Sequence, residues 1–202
     1  MDINKWVNSK YLKSEKLLKS TFTKAKPFKN IELKNFFDAE KLVLVVQALI
    51  AEKFIEKESD LFKFMQTNDL ASSHNKVLIE FRSFLCSSAF ISFMQNITGL
   101  KLKSGAIDIA GTLYRDSDYL LCHDDQLENR KIAFMIYLSD LAKNEGGSLD
   151  LLSTSYKPIV KIVPKFNTVA FFEVSPVSFH EVSEVLVDKQ RLAIGGWFYA
   201  RD

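Results

Sequence analysis

Three histidines, His74, His123 and His180, are the side chains of this chain best suited to binding a transition metal or moving protons near neutral pH. His123 opens His-Asp-Asp, which places the carboxylate of Asp125 two positions on. In a strand, residues two apart point to the same side, so His123 and Asp125 can aim at one point. The pair closes an apolar run, Tyr119-Leu120-Leu121-Cys122, and a polar turn follows. His180 lies 57 residues later, in another β-rich stretch. Two imidazoles and one carboxylate on neighbouring strands make a 2-His-1-carboxylate facial triad for non-haem Fe(II), with adjacent open positions for a chelating cosubstrate and O₂. His74, in Ala71-Ser-Ser-His-Asn75, sits in a loop ahead of a helix and is read as unrelated to that site.

A second group could bind an anion. Arg191 stands eleven residues past His180, where the last strand begins. Arg191, Ala193, Gly195 and Trp197 share one face of that strand, and the small residues leave volume in front of the guanidinium. A buried dicarboxylate requires such a place: a bidentate, charge-assisted clamp with room for a carbon chain. Spacing alone equally allows an ordinary strand-end cation at the surface. Tyr114 precedes His123 by nine residues and Tyr137 follows it by fourteen. Each phenol could donate to a carboxylate while its ring packs on an apolar wall; without the triad, each reads as a half-buried structural tyrosine.

The elements that must position these groups fall into two halves. Up to Gly99 the chain reads as helical: one helix starts from the N-cap Asp38 and carries Leu42, Val45, Val46, Leu49 and Ile50 at helical spacing, followed by the charged stretch Glu52 to Glu58. A second, Phe-rich helix runs from about Lys76 to Gly99. After Gly99, short β-branched and aromatic runs alternate with turn signals. They predict eight strands: 106–113, 119–123, 131–138, 147–152, 159–163, 168–174, 179–186 and 192–199. This spacing suits a sandwich or jelly roll. No repeat or linker divides the 202 residues, so one domain is expected, with helical support over 1–100 and a β core over 101–202.

Composition excludes disordered, collagen-like and disulfide-scaffold classes: 47% of residues are hydrophobic, with only 7 Gly and 4 Pro. Net charge is only +2, but residues 1–30 hold eight Lys against Asp2 and Glu15. That lysine-rich segment could touch RNA or simply form a solvated helix face. Cys86 and Cys122 read as reduced core thiols. Cys122, next to His123, should point away from the metal. The first residues lack a signal-peptide pattern, and the longest apolar run, Leu42 to Ala51, is too short to span a bilayer. A soluble, cytoplasmic protein with no membrane partner is expected.

Four blocks resemble the ribosomal prolyl hydroxylases of the 2-oxoglutarate/Fe(II) oxygenase superfamily. They are Leu121-Cys-His-Asp-Asp125 within residues 114–138, Glu145-Gly-Gly-Ser-Leu-Asp-Leu151, Phe171-Phe-Glu-Val-Ser-Pro-Val-Ser-Phe-His180 and Arg191-Leu-Ala-Ile-Gly-Gly-Trp-Phe198. The resemblance implies an α+β chain, mostly β with N-terminal helices, built as a double-stranded β-helix. It implies His123, Asp125 and His180 as iron ligands, Arg191 on the distal carboxylate of 2-oxoglutarate, and Tyr137 and Tyr114 as donors in that pocket. It also implies a dioxygenase that converts O₂ and 2-oxoglutarate to succinate and CO₂ while hydroxylating a prolyl carbon, with ascorbate as an expected accessory. In eukaryotic members the target is the decoding-centre protein of the small ribosomal subunit. Those relatives resemble two tandem β-helix domains, and Asp202 falls just past the last strand of the first, so the second is expected to be missing. Other substrates stay open: another protein, a small molecule or a nucleic acid. Nucleic-acid demethylases resemble Arg-x₅-Arg on the last strand, where this chain has Trp197 six positions after Arg191. A metal-free β-helix binding module is the non-enzymatic alternative.

Overall fold

A computed structural model describes residues 2–127 and 129–201. Its first half contains α1 (Ser9–Leu12), α2 (Glu15–Lys24), β1 (Asn30–Lys34), α3 (Ala39–Ile50), β2 (Phe54–Ser59), β3 (Phe62–Thr67), α4 (Lys76–Leu85) and α5 (Ser88–Thr98). Its second half contains β4 (Leu102–Tyr114), β5 (Tyr119–His123), β6 (Arg130–Tyr137), β7 (Leu149–Leu152), β8 (Pro158–Ile162), β9 (Thr168–Glu173), β10 (His180–Val182) and β11 (Arg191–Ala200). Each of the eight runs expected after Gly99 therefore contains a strand, although the run 179–186 forms only the three-residue β10.

The helical half differs from expectation in two places. Three strands lie within it, and the charged stretch after α3 is β2, which pairs with β3 as a hairpin. The Phe-rich helix is two helices, because Ser87 leaves helical geometry and its side chain caps α5 by accepting from the Phe90 N–H. The Asp38 cap is present: its carboxylate accepts from the Lys41 N–H at 3.0 Å.

All strand pairings are antiparallel. One sheet runs β1-β9-β6-β11-β4 and the other β8-β7-β10-β5. β3 joins them, pairing with β4 through Met65 and Gln66 and with β5 through Phe62 and Lys63. The result is a double-stranded β-helix. Period-two alternation gives its larger sheet two apolar faces. Ile132, Phe134, Ile136, Leu192, Ile194 and Phe198 pack against the helices. The intervening Ala133, Tyr137 and Ala193 face a second cluster between the sheets. No single helix among the described residues is long and apolar enough to cross a membrane.

Phe90 connects the helical layer to the sheet. Its ring meets Phe84 at 5.0 Å, Phe93 at 6.1 Å and Phe198 of β11 at 6.2 Å, and it is 4% exposed. Phe90→Ala should therefore destabilise the fold by about 3–5 kcal/mol through lost burial and a cavity. Urea unfolding would read this as a lower midpoint at constant slope, and a loss below about 1 kcal/mol would contradict the packing role.

Candidate metal and dicarboxylate site

β5 and β10 pair with His123 opposite His180, so both imidazoles project from neighbouring backbone positions. Their ring centroids are 4.1 Å apart. Each Nδ1 lies 2.8 Å from the backbone carbonyl two residues earlier, that of Leu121 for His123 and of Ser178 for His180. A carbonyl only accepts, so Nδ1 carries the proton and Nε2 presents a lone pair. The Nε2 of His123 is 3.5 Å from one Asp125 oxygen, and that of His180 is 3.3 Å from the other. Three donor atoms fall within 4.8 Å of one another, the one such cluster among the described residues. Lone pairs and a carboxylate this close repel unless a cation stands among them, either protons on the rings or a metal ion. The donor set fits Fe(II).

Asp125 reaches this position by a route the strand argument did not contain. β5 ends at His123, and Asp125 lies beyond it in left-handed backbone, at φ +63°. A turn aims the carboxylate, rather than alternation along a strand; Asp tolerates that conformation better than most residues. Burial by itself would raise the carboxyl, but the contact with His180 and the charges available on both rings outweigh it and hold Asp125 at about 2. The carboxylate is therefore ionised at neutral pH. Burial also pushes His123 below its ordinary value, with the neighbouring His180 adding to the effect. Both conditions favour a ligand set ready for a cation.

The second candidate group centres on Arg191, the first residue of β11. It is fully buried, so it is not a strand-end surface cation. Its Nε donates to the Gly147 carbonyl at 2.7 Å, while Nη1 and Nη2 have no hydrogen-bond partner. The guanidinium carbon stands 4.7 Å from the Tyr114 ring and 5.3 Å from the Tyr137 ring. Tyr137 is also fully buried and its hydroxyl is unpartnered. Burial pushes its phenol up to about 12 despite the nearby Arg191 charge, and pushes Tyr114 up as well. Both remain neutral O–H groups at physiological pH. An unpartnered buried cation is costly, and two orphaned guanidinium nitrogens beside an orphaned phenol form a fork that fits a carboxylate.

A cavity of about 270 Å³ lies between the sheets. His123, Asp125, His180 and Tyr114 line it, together with apolar walls from Ala133, Met135, Leu149 and Phe172. Cys122 and His74 are not among its lining residues, and neither are Arg191 and Tyr137, which meet it only behind Tyr114. Both cysteines are free and half-buried rather than core thiols, Cys86 at the α4–α5 break and Cys122 within β5.

Sequence reasoning did not single out Gly147 or Arg130. Gly147 has φ +67°, and a Cβ there would stand 3.1 Å from the Arg191 side chain, so only glycine suits the backbone that receives the guanidinium. The Gly146-Gly147 pair was the available signal. Arg130, at the start of β6, stacks 3.5 Å over Trp197 and approaches Asp125 at 3.8 Å. Gly195 and Trp197 of β11 line the cavity, and Ala193 packs with Trp197 in the cluster between the sheets.

Residues 109–199 match the 2OG-Fe(II) oxygenase superfamily. The chain is 43% identical over 160 residues to prolyl 3-hydroxylase OGFOD1 of Xenopus laevis, an alignment covering 76% of this chain and 31% of that protein. It is 40% identical over 168 residues to prolyl 3,4-dihydroxylase OGFOD1 of Ostreococcus tauri, covering 72% and 32%. The chain thus spans about a third of the length of the curated relatives it matches. In fold it is similar to a Trichoplax adhaerens prolyl hydroxylase solved with a hypoxia inducible factor peptide fragment, with a TM-score of 0.75 at 18% identity over 95% of this chain and 93% of that one. With a matching oxygenase region, relatives near 40% identity and the same β-helix, the chain belongs to the 2OG-Fe(II) oxygenase superfamily.

Proposed function

We propose that this chain hydroxylates a prolyl residue of a protein, with Fe(II), 2-oxoglutarate and O₂ as its cofactor and cosubstrates. The observation that carries this reading is a fully buried arginine fork in the same β-helix as three convergent metal-ligand atoms. The similarity to proteins named prolyl hydroxylases supports the substrate class.

His123, Asp125 and His180 would hold the ferrous ion. When bound, it would supply the activation of O₂, one oxygen atom going to succinate as 2-oxoglutarate loses CO₂ and the other to the prolyl C–H bond. The chain's own groups do the positioning. Backbone carbonyls fix both imidazoles in the Nε2-ligand tautomer. Ionised Asp125 supplies the one negative charge. Arg191 would grip the distal carboxylate of 2-oxoglutarate through Nη1 and Nη2, with the Tyr137 and Tyr114 hydroxyls as further donors to it. The full burial of Arg191 and Tyr137 keeps water from competing for those contacts.

We further assign the substrate to the ribosomal proteins, encountered in the cytoplasm, with ascorbate keeping the iron ferrous. Around α2 the chain buries Leu18 and Phe22 and leaves Lys13, Lys16, Lys19 and Lys24 exposed, which suits a solvated face as well as contact with RNA near such a substrate. Incubating the purified chain with ribosomal proteins, Fe(II), ascorbate and 2-oxoglutarate should give peptides heavier by about 16 Da at proline, accompanied by succinate formation. Succinate coupled to modification of other proteins only would remove the ribosomal assignment. No prolyl modification in any protein would remove the prolyl reading itself.

A further inference from the structure

We propose that Ser178 is the positioning residue that holds the Asp125 loop and the His180 strand at metal-binding separation. The inference rests on the triad reading above. Ser178 is fully buried in the turn that leads into β10. Its carbonyl receives the Nδ1–H of His180 at 2.8 Å, which sets the direction of that ring. Its hydroxyl lies 3.0 Å from the carbonyl oxygen of Asp124, 54 residues away in sequence and adjacent to Asp125. The same hydroxyl oxygen accepts from the Ser175 N–H at 2.9 Å and lies 2.8 Å from the Ser175 carbonyl. Its single proton is therefore shared between two carbonyls, one in its own turn and one across the gap.

The Asp125 segment needs such a tie. It has left the β5 ladder and sits in left-handed backbone, and its other hydrogen bonds are local. The Gln126 N–H and side-chain amide donate to the Asp124 carboxylate at 3.1 and 2.9 Å, and the Leu127 N–H donates to the Asp125 carbonyl at 2.8 Å. Among the described residues, Ser178 makes the hydrogen bond that crosses from the backbone of this loop to the segment carrying the second histidine. A single side chain thus orients one ligand directly and restrains the loop of another. Supporting groups around metal ligands typically change metal affinity by about 10–100-fold when removed.

The test titrates Mn(II), a redox-stable stand-in, into the intact chain and its variants by calorimetry, with thermal unfolding of the same samples without metal. His123→Ala is the reference for the triad, and Ser175→Ala is the control in the same turn, since it leaves the Ser178 hydroxyl and the Ser175 backbone groups in place. Ser178→Ala should bind Mn(II) about 10–100-fold more weakly than the parent, with Ser175→Ala unchanged. Equal affinity in Ser178→Ala and the parent, or equal losses in both serine variants, overturns the positioning role. Parent binding that survives His123→Ala overturns the triad reading instead. Should Ser178→Ala fail to fold, Ser178→Cys reads the same quantity, because it keeps the volume but offers only a weak S–H donor. Intermediate affinity there supports the role, and parental affinity overturns it.

Discussion

Asp125→Ala and His123→Ala are each expected to abolish 2-oxoglutarate turnover and stoichiometric metal binding while leaving the fold in place. The loss should exceed the roughly 10–100-fold that a supporting residue costs, because a ligand itself is removed. Asp125 supplies the only carboxylate of the cluster, so alanine leaves two neutral imidazoles facing a divalent ion with no compensating charge. His123 supplies one of two Nε2 lone pairs that converge on it. The fold should survive because neither residue belongs to an apolar cluster. In the metal-free protein Asp125→Ala gives up the contacts that hold this carboxyl at about 2, so its unfolding temperature near neutral pH should fall modestly while unfolding stays cooperative. Normal turnover in either variant would exclude these side chains as ligands.

The second large effect concerns Arg191. Arg191→Met should raise the apparent KM for 2-oxoglutarate by roughly two orders of magnitude, since truncating one partner of a buried charged contact costs about 2–5 kcal/mol. The same substitution should not weaken the ligand-free protein in proportion. It loses the Nε–Gly147 bond but also removes two buried, unpartnered nitrogens, and apolar replacement of buried charge is often neutral or stabilising. The diagnostic is the difference: the unfolding temperature of the free protein holds, while the stabilisation normally produced by 2-oxoglutarate disappears. A KM within about threefold of the parent would mean that another cation holds the cosubstrate.

The β core was legible because each of its strands carries its own local evidence. Ala133, Met135 and Tyr137 alternate with Ile132, Phe134 and Ile136, and both rows are apolar because both faces of the sheet are covered. The missed strands lack that evidence. β2 reads Phe-Ile-Glu-Lys-Glu-Ser, exposed along almost its whole length, and its hairpin turn at Asp60-Leu61 has no glycine or asparagine to announce it. β1 does alternate, burying Ile31 and Leu33 around Glu32, but it is five residues long within a lysine-rich stretch. It pairs with β9, more than 130 positions away, a partner no local pattern specifies.

The site was legible in its residue types and less so in its geometry. His123 and His180 stand opposite each other because of strand register, which spacing does not contain. Asp125 aims inward through a left-handed turn, which spacing mistakes for alternation. The partners that orient the rings are carbonyls, and every residue has one, so Leu121 and Ser178 carry no signature. Burial decided between the two readings of Arg191.

Anomalous diffraction at the iron edge, from crystals grown anaerobically with Fe(II) and 2-oxoglutarate, addresses the whole arrangement at once. A single iron peak among the two Nε2 atoms and the Asp125 carboxylate, with one end of the 2-oxoglutarate on the Arg191 fork, is the expected result. Iron bound elsewhere, or a cosubstrate whose carboxylates both avoid Arg191, would contradict it.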